Sequence, residues 1–547
     1  ALAPPKKNLP SLEPFTRRIS PSVDRRRPFG GAGRGNGTEK GSCGAIRAPF
    51  FGIFVLVKLR YLGERLEGLP MLRALLPVVA GILTAMHFAL PLWLLVGGFL
   101  LCGAAALLLR SPLHAAAMLF LFGAGAVEVH GPVRQLPAGR SLLCTVSIGE
   151  FPTVRGRTCS AAARVHAWRD EAGRWHPADA LVMLRADTAL HLGSGERLLC
   201  RGVVRPFSGG AASYRRLMAC RGYAGRMWLP KGGVVERSAP AGFSLHRAAV
   251  GRLAELGLEG EAAALCRAMA VGERSGLTPG LRDRYARSGT SHLLAVSGLH
   301  VGIVFAAVNL LLGWLPLLRR GHLVRSLLAV ACIWLYAAAT GFAPSTVRAA
   351  VMFTLLQASL VSSSDYASLN ALCASALLML AWNPGYLFDI SFQLSYLAVA
   401  AIILWGVPLC RRLRSRWRGV NLLVDSVVVS LVATVATAPL VAHTFGLLSL
   451  SGLVVNPVAV LLGGVVVTGS LLWLLFPFGV LRPLLSALLT AAAEGLDGLV
   501  AAAAAWRWGA VEVSLPGGAA AALYALMAAA TLWGACRKPK KTLTLPR

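Results

Sequence analysis

Residues 91–109 read PLWLLVGGFLLCGAAALLL, a run without one charged side chain. As an α-helix rising about 1.5 Å per residue, it nearly crosses the roughly 30 Å hydrocarbon core of a bilayer. A helix on the surface of a soluble domain would turn polar every turn or two. Similar runs occur at 72–89, 114–128, 293–316, 326–341, 346–362, 366–383, 387–409, 421–443, 452–477, 481–506 and 517–535. Composition agrees: 56% of the 547 residues are hydrophobic and 14% charged, against about 45–50% and about 25% in soluble domains. A soluble protein is excluded. The expected fold is a polytopic α-helical membrane protein of about 12 spans.

Basic residues orient these spans. With Arg73 cytoplasmic, alternation places Arg110, Arg319 with Arg320, the run Arg411–Arg418 and the tail Arg537–Lys541 on the same side, as the positive-inside rule requires. The C-terminus, with the basic tail 536–547, is then cytoplasmic. The formal net charge of +31 overstates any ligand-binding role, because residues 1–70 alone carry 13 Lys/Arg against 5 Asp/Glu. That segment is rich in Pro, Gly and Arg and lacks an apolar period. Met71-Leu72-Arg73 reads as a normal start, so 1–70 is expected to be disordered or to precede the true start.

The same alternation sends 129–290 outward, after an N-terminal hairpin and third span at 71–128. Within 129–240, Leu142–Ile148, Ser160–Trp168, Ala180–Ala186 and Arg197–Val204 read as strands broken by Gly, Pro and Asp. An exported small β-barrel of OB type is the expected solution. Residues 212–222 read as a short basic helix. Residues 241–290 read as an amphipathic helical connector, with Thr278-Pro279 marking a helix start. Four of the eleven cysteines, Cys144, Cys159, Cys200 and Cys220, lie in the exported part. They form disulfides among themselves or stay as buried thiols. No Cys-x-x-Cys or Cys/His cluster suggests a metal, and no cofactor is implied.

Polar residues inside apolar spans carry the chemistry, because charge in hydrocarbon is costly. At the head of the competence-type region 291–535, the first cluster runs from Ser291 through His292, Ser297, Gly298 and His300 to Val301. Ser297 and His300, three apart, share a helix face, either to hydrogen-bond a neighbouring helix or to line a path. A catalytic Ser–His pair lacks a carboxylate nearby in sequence. In the second cluster, Thr340–Arg348, Gly341 and Pro344 break a span and Ser345 can cap the next. Arg348 then falls in a first turn beside free amides, where it binds an anion or snorkels to the interface. The third cluster holds Asp389 and Gln393 on one face, and Asp389 can pair with Arg348. The fourth, Asn456-Pro457, suggests an interrupted helix.

In this order the strings His292–Val301, Thr340–Arg348 and Phe388–Tyr396, with Gly272-Glu273-Arg274 upstream and Asn456 downstream, resemble the signature blocks of the ComEC family of competence proteins. The resemblance covers most of the chain from Met71 onward. It implies an inner (plasma) membrane channel that passes single-stranded DNA into the cytoplasm during natural transformation. His292, Ser297, Gly298, His300, Arg348, Asp389, Gln393 and Asn456 occupy the motif positions. It also implies a DNA-receptor protein outside, a helicase-like ATPase inside, contact with membrane lipid, and assembly as a homo-oligomer. Tyr214, Arg215, Arg216 and Arg221 are candidate exported DNA contacts. Longer family members continue into a metallo-β-lactamase-like domain. The chain ends soon after its last span and lacks a His-x-His-x-Asp-His string, so a short form without that domain is expected. No Gly-x-x-x-x-Gly-Lys-Ser/Thr loop is present either, and no enzyme activity is expected. The alternative is a secondary transporter for a small anionic or lipid-like solute, with Arg348 as its anion site.

Overall fold

The computed structural model describes residues 69–88, 90–130, 136–137, 139–149, 152–155, 158–190, 192–193, 195–207, 212–239, 243–315, 321–360 and 367–537. The readings of residues 1–68, of Arg319 and Arg320, and of the tail beyond 537 lie outside the described residues.

Three helices come first: α1 (Pro70–His87), α2 (Leu92–Leu109) and α3 (Pro112–His130). α1 and α3 cross at two glycines. A Cβ on Gly81 would lie 2.0 Å from the Phe120 carbonyl oxygen, and one on Gly123 would lie 2.3 Å from that of Val78. Between lipid-embedded helices packing replaces the hydrophobic effect, and such close backbones maximise it. Only Leu95 of α2 is buried, so its apolar length is left to face lipid.

The chain then builds β1 (Ser141–Ile148), β2 (Thr153–Arg155), β3 (Thr158–Arg169), β4 (Trp175–Asp187) and β5 (Arg197–Arg205). A nine-residue helix α4 (Ala212–Cys220) follows, then β6 (Tyr223–Leu229) and β7 (Val234–Ser238). Apolar residues alternate, so Leu142, Cys144, Val146 and Ile148 of β1 point inward with Leu198, Cys200 and Val204 of β5. β1, β3, β4, β6 and β5 pair in that order, and β5 pairs back to β1, closing the sheet. The β4–β6 contact is parallel; the others are antiparallel. Closure leaves these five strands without an open edge. The four strands expected from sequence fall within β1, β3, β4 and β5.

The connector holds α5 (Leu245–Ala254), α6 (Gly260–Val271) and α7 (Pro279–Arg287). Thr278 Oγ1 accepts the Leu281 amide at 3.2 Å with Pro279 at the first helical position, as the sequence predicts. α6 departs from a surface helix: every residue from Ala262 to Val271 except Arg267 is buried. Its alanines let it sit in one core with two later helices, Gly452–Leu475 and Arg482–Ala505.

The remaining elements are α8 (Gly298–Leu311), α9 (Gly321–Ala339), α10 (Pro344–Leu360), α11 (Ala367–Trp382) and α12 (Ile390–Ala401). A π-helical turn over Ile402–Gly406 leads into α13 (Val407–Arg412), then come α14 (Arg418–Phe445), α15 (Gly452–Leu475), α16 (Arg482–Ala505) and α17 (Gly517–Arg537). Among the described residues eight helical segments are long and apolar enough to cross a bilayer: α1, α2, α3, α9, Ile390–Arg412, α14, α15 and α16. The chain is a membrane protein. The other four expected spans coincide with α8, α10, α11 and α17, which fall short of that measure. The span read at 293–316 is corrected most. Ser291–Leu294 is a 3₁₀ turn, 295–297 is extended, and α8 has 14 residues. At about 1.5 Å per residue α8 is roughly 21 Å long. At Asn456-Pro457 the expected interruption is absent, since α15 runs unbroken through Pro457.

Candidate nucleic-acid interface and buried polar cluster

The extended stretch before α8 lies against the start of α10. Ser297 is the N-cap of α8 rather than a mid-helix residue, and its amide donates to His300 Nδ1 at 3.4 Å. That bond assigns the imidazole proton to Nε2. Ser345 does not cap α10. It is the second helical residue, and its Oγ donates to the Val296 carbonyl at 2.6 Å, tying α10 to the extended strand. Arg348 is the fifth residue of α10, beyond the first turn. The turn that delivers α10 has Gly341 at φ +64° and Phe342 at φ +52°. A non-glycine residue there costs on the order of 1–2 kcal/mol; the Phe342 amide donating to the Ala337 carbonyl at 2.8 Å holds the turn.

These contacts gather polar atoms in the interior. His300 is fully buried and Arg348 is 3% exposed. Among the described residues, His300 Nε2, Thr346 Oγ1 and Arg348 Nε have no hydrogen-bond partner, and Ser297 Oγ faces the first turn of its own helix. Buried polar atoms are ordinarily paired, which makes these atoms candidates to meet an ordered water or a ligand. Gly298 is open on its Cβ side, with only Ala349 Cβ near, at 3.8 Å. His292 is exposed on the 3₁₀ turn.

The expected Arg348–Asp389 pair is not formed. An Arg348 amine of the guanidinium donates to Ser391 Oγ at 2.7 Å. Asp389 caps α12 instead, its Oδ1 accepting the Phe392 amide at 3.1 Å, while its Oδ2 meets Arg221 at 3.4 Å. A carboxylate at a helix N-terminus gains from the free amides and the dipole. Gln393 Nε2 donates to the Leu387 carbonyl at 2.7 Å, and Asn456 Nδ2 donates to Ser430 Oγ at 3.4 Å. The structure thus brings His300 and Ser297 beside α10, and Arg348, Asp389 and Gln393 to the start of α12. Asn456 sits apart, on α15.

A second feature lies on the closed sheet. A groove of about 610 Å³ is lined by Arg185, Arg205 and Arg226 with Phe207, Tyr214 and Trp228, among others. Register explains it. Arg205 of β5 stands opposite Arg226 of β6, and Arg185 of β4 pairs with Trp228 of β6, all on the outward face. Arg226 donates to Tyr214 Oη at 3.0 Å and lies 5.1 Å over the Phe207 ring, on which Tyr214 packs edge-on. Like charges directly opposite destabilise a sheet. Among the described residues no carboxylate pairs with these three arginines; Asp187 nearby pairs with Lys231. Of the four exported candidates, Tyr214 belongs to this groove, Arg215 is exposed on α4 beside Arg216, and Arg221 is engaged by Asp389. Arg185, Arg205, Arg226 and Trp228 were missed in sequence. The four-residue spacing of Arg197, Arg201 and Arg205 along a strand was the available signal, since it puts all three on one face.

The cysteines of the barrel are thiols. Cys144 stands opposite Cys200 across β1 and β5, and burial pushes both up to about 12. Burial likewise raises Cys159. Cys220, at the end of α4, packs with residues of α1 and α12.

Residues 269–538 match the family model described as Competence protein. The chain is 30% identical over 192 residues to the ComE operon protein 3 of Bacillus subtilis (strain 168), a match covering 35% of this chain and 24% of that protein. It is 32% identical over 159 residues to an uncharacterized protein of Aquifex aeolicus (strain VF5), covering 29% and 34% of the two chains. The matches therefore span a quarter to a third of these relatives' length. No solved structure matches. The matched region takes in α8, α10 and α12 with every motif position named above, and on that ground the chain belongs to the ComEC family of competence proteins.

Proposed function

We propose that this competence protein is the inner-membrane channel that passes single-stranded DNA into the cytoplasm, with the closed sheet as an exported OB-type landing domain. The carrying observation is the groove. Three outward guanidinium groups, without carboxylate partners among the described residues, line one groove with Phe207, Tyr214 and Trp228. A single strand offers evenly spaced phosphates and unstacked bases, and proteins hold it with that combination. The five-strand order, with one parallel contact, supports the OB reading. About twelve spans and a cytoplasmic C-terminus follow from the basic loops. Arg348, buried with a free Nε, is the next cation along the route, with His300 on its flank. A receptor protein outside supplies the strand, and a helicase-like ATPase inside pulls it. The channel itself does no covalent chemistry. A carrier for a small anion would use Arg348 but leaves the groove on the sheet without a task.

The test is labelled-DNA entry in a strain lacking its own copy. Arg348→Ala abolishes cytoplasmic entry while surface capture persists. Arg348→Lys recovers part of it, since lysine keeps the charge but loses the planar fork that fits phosphate. Normal entry by Arg348→Ala at normal protein level defeats the assignment.

A further inference from the structure

The channel reading leaves a difficulty: Arg348 is 3% exposed, and a strand held on the sheet cannot meet it while it stays covered. The contact that joins the closed sheet to the α12 end of this cluster is identifiable. α4 ends at Cys220, and Arg221 reaches Asp389 Oδ2 at 3.4 Å. Asp389 simultaneously caps α12, and two residues further on Ser391 holds Arg348. The apolar half of the same contact sets Leu217 and Cys220 against Val78, Tyr386 and Leu387. It is close: a Cβ on Gly385 would lie 3.2 Å from Cys220 Cβ. At its other end α4 carries Tyr214, bonded to Arg226 in the groove. One nine-residue helix therefore touches the groove near its start and the α12 cap at its end.

The ion pair is built to be exchanged. Its side chains are 31% and 34% exposed, and ion pairs so open to solvent are weak. Among the described residues the Arg221 guanidinium makes one side-chain contact, at 3.4 Å, whereas guanidinium and phosphate can form two parallel hydrogen bonds. Asp389 keeps its cap bond when Arg221 leaves, so release costs α12 little.

We propose that Arg221–Asp389 is a latch between the barrel and the membrane domain, opened when a phosphodiester of the incoming strand takes Arg221 from Asp389. With the latch open α4 lifts from the Pro384–Phe388 turn and frees the Asp389 end of α12, two residues before the Ser391 that holds Arg348. The inference rests on the channel reading for its ligand. Its geometry stands on the two ends of α4.

The native Cys220 provides the experiment. Gly385→Cys places a second thiol in reach of it, and mild oxidation of the full-length membrane protein by diamide joins the two. The two thiols surrender two protons and two electrons to the diamide, which becomes the hydrazine. The linked chain keeps surface capture of labelled DNA and loses cytoplasmic entry by at least about tenfold, and dithiothreitol restores entry. Undiminished entry in fully linked protein overturns the latch. A binding measurement guards against a damaged variant. In purified full-length Gly385→Cys protein, a single-stranded oligonucleotide of roughly 20 nucleotides at saturation slows linking, and Arg221→Gln abolishes that slowing. An oligonucleotide that binds without changing the linking rate overturns the latch alone. Failure of wild-type chain to bind or import any strand overturns the channel reading instead.

Discussion

Replacing Arg185, Arg205 and Arg226 together by glutamine removes three guanidinium groups from the groove. If each meets one phosphate, the slope of log K against log salt for a single strand falls by about 0.7 per contact, about 2 in all. Measured down from 1 M, where the counterion contribution vanishes, to 0.1 M salt, this is roughly a hundredfold loss of affinity. The register adds a second signature. Arg205 faces Arg226 directly, and like charges so placed cost about 0.2–1 kcal/mol. Arg205→Gln therefore leaves thermal stability unchanged or raised while it weakens binding. An arginine kept for the fold does the reverse. The assay is fluorescence anisotropy of a labelled oligonucleotide titrated with purified full-length protein at several salt concentrations, with melting followed in parallel. An unchanged salt slope in the triple variant refutes the placement of the strand. A lower melting temperature for Arg205→Gln refutes the argument that these arginines await an anion.

Other consequences are separable. Gly81→Val drives a side chain into the Phe120 carbonyl, 2.0 Å from the first carbon; α1 and α3 must part, and folded protein in the membrane falls steeply. Normal yield would show that the crossing is dispensable. Asp170 accepts from His176 at 2.9 Å and from the Arg174 amide at 2.8 Å, and these bonds, the His176 one foremost, hold its carboxyl down to about 2. The folded value lies below the unfolded one of about 3.9, so its stabilisation is complete above that pH and is lost as pH falls through 2. Asp170→Asn thus destabilises the barrel near neutral pH and not near pH 2; equal melting shifts at both would sink the argument.

The sequence reading and the structure agree where one residue's neighbours decide its state. Uncharged runs such as 91–109 became helices, and the alternating strands 142–148 and 197–204 became barrel walls. Local patterning sufficed because the periods of three-and-a-half and two are properties of consecutive residues. It failed at 293–316, where apolarity continues through a 3₁₀ turn and an extended stretch before Ser297 starts α8. Hydropathy does not register that break. β6 was missed because Gly225 stands on its inner face and Trp228 on its outer one, which blurs the alternation, and β7 because it has five residues. The site was legible as residue types and not as partners. Arg221 and Asp389 lie 168 positions apart, and nothing local distinguishes that pair from Arg348 with Asp389. Ser345 reads equally well as a cap or as a tether, and only the position of Val296 decides.

The most direct test of the whole account is to ask what a strand touches while it is in transit. A photo-crosslinking residue placed at Trp228 in the groove, and another at Ser391 beside Arg348, would be illuminated while donor DNA is stalled by a bulky group at its trailing end. The account predicts cross-links to single-stranded DNA from both positions, with the Ser391 product lost when Cys220 is locked to Gly385→Cys. Cross-links from Trp228 alone, with entry proceeding normally, would contradict it.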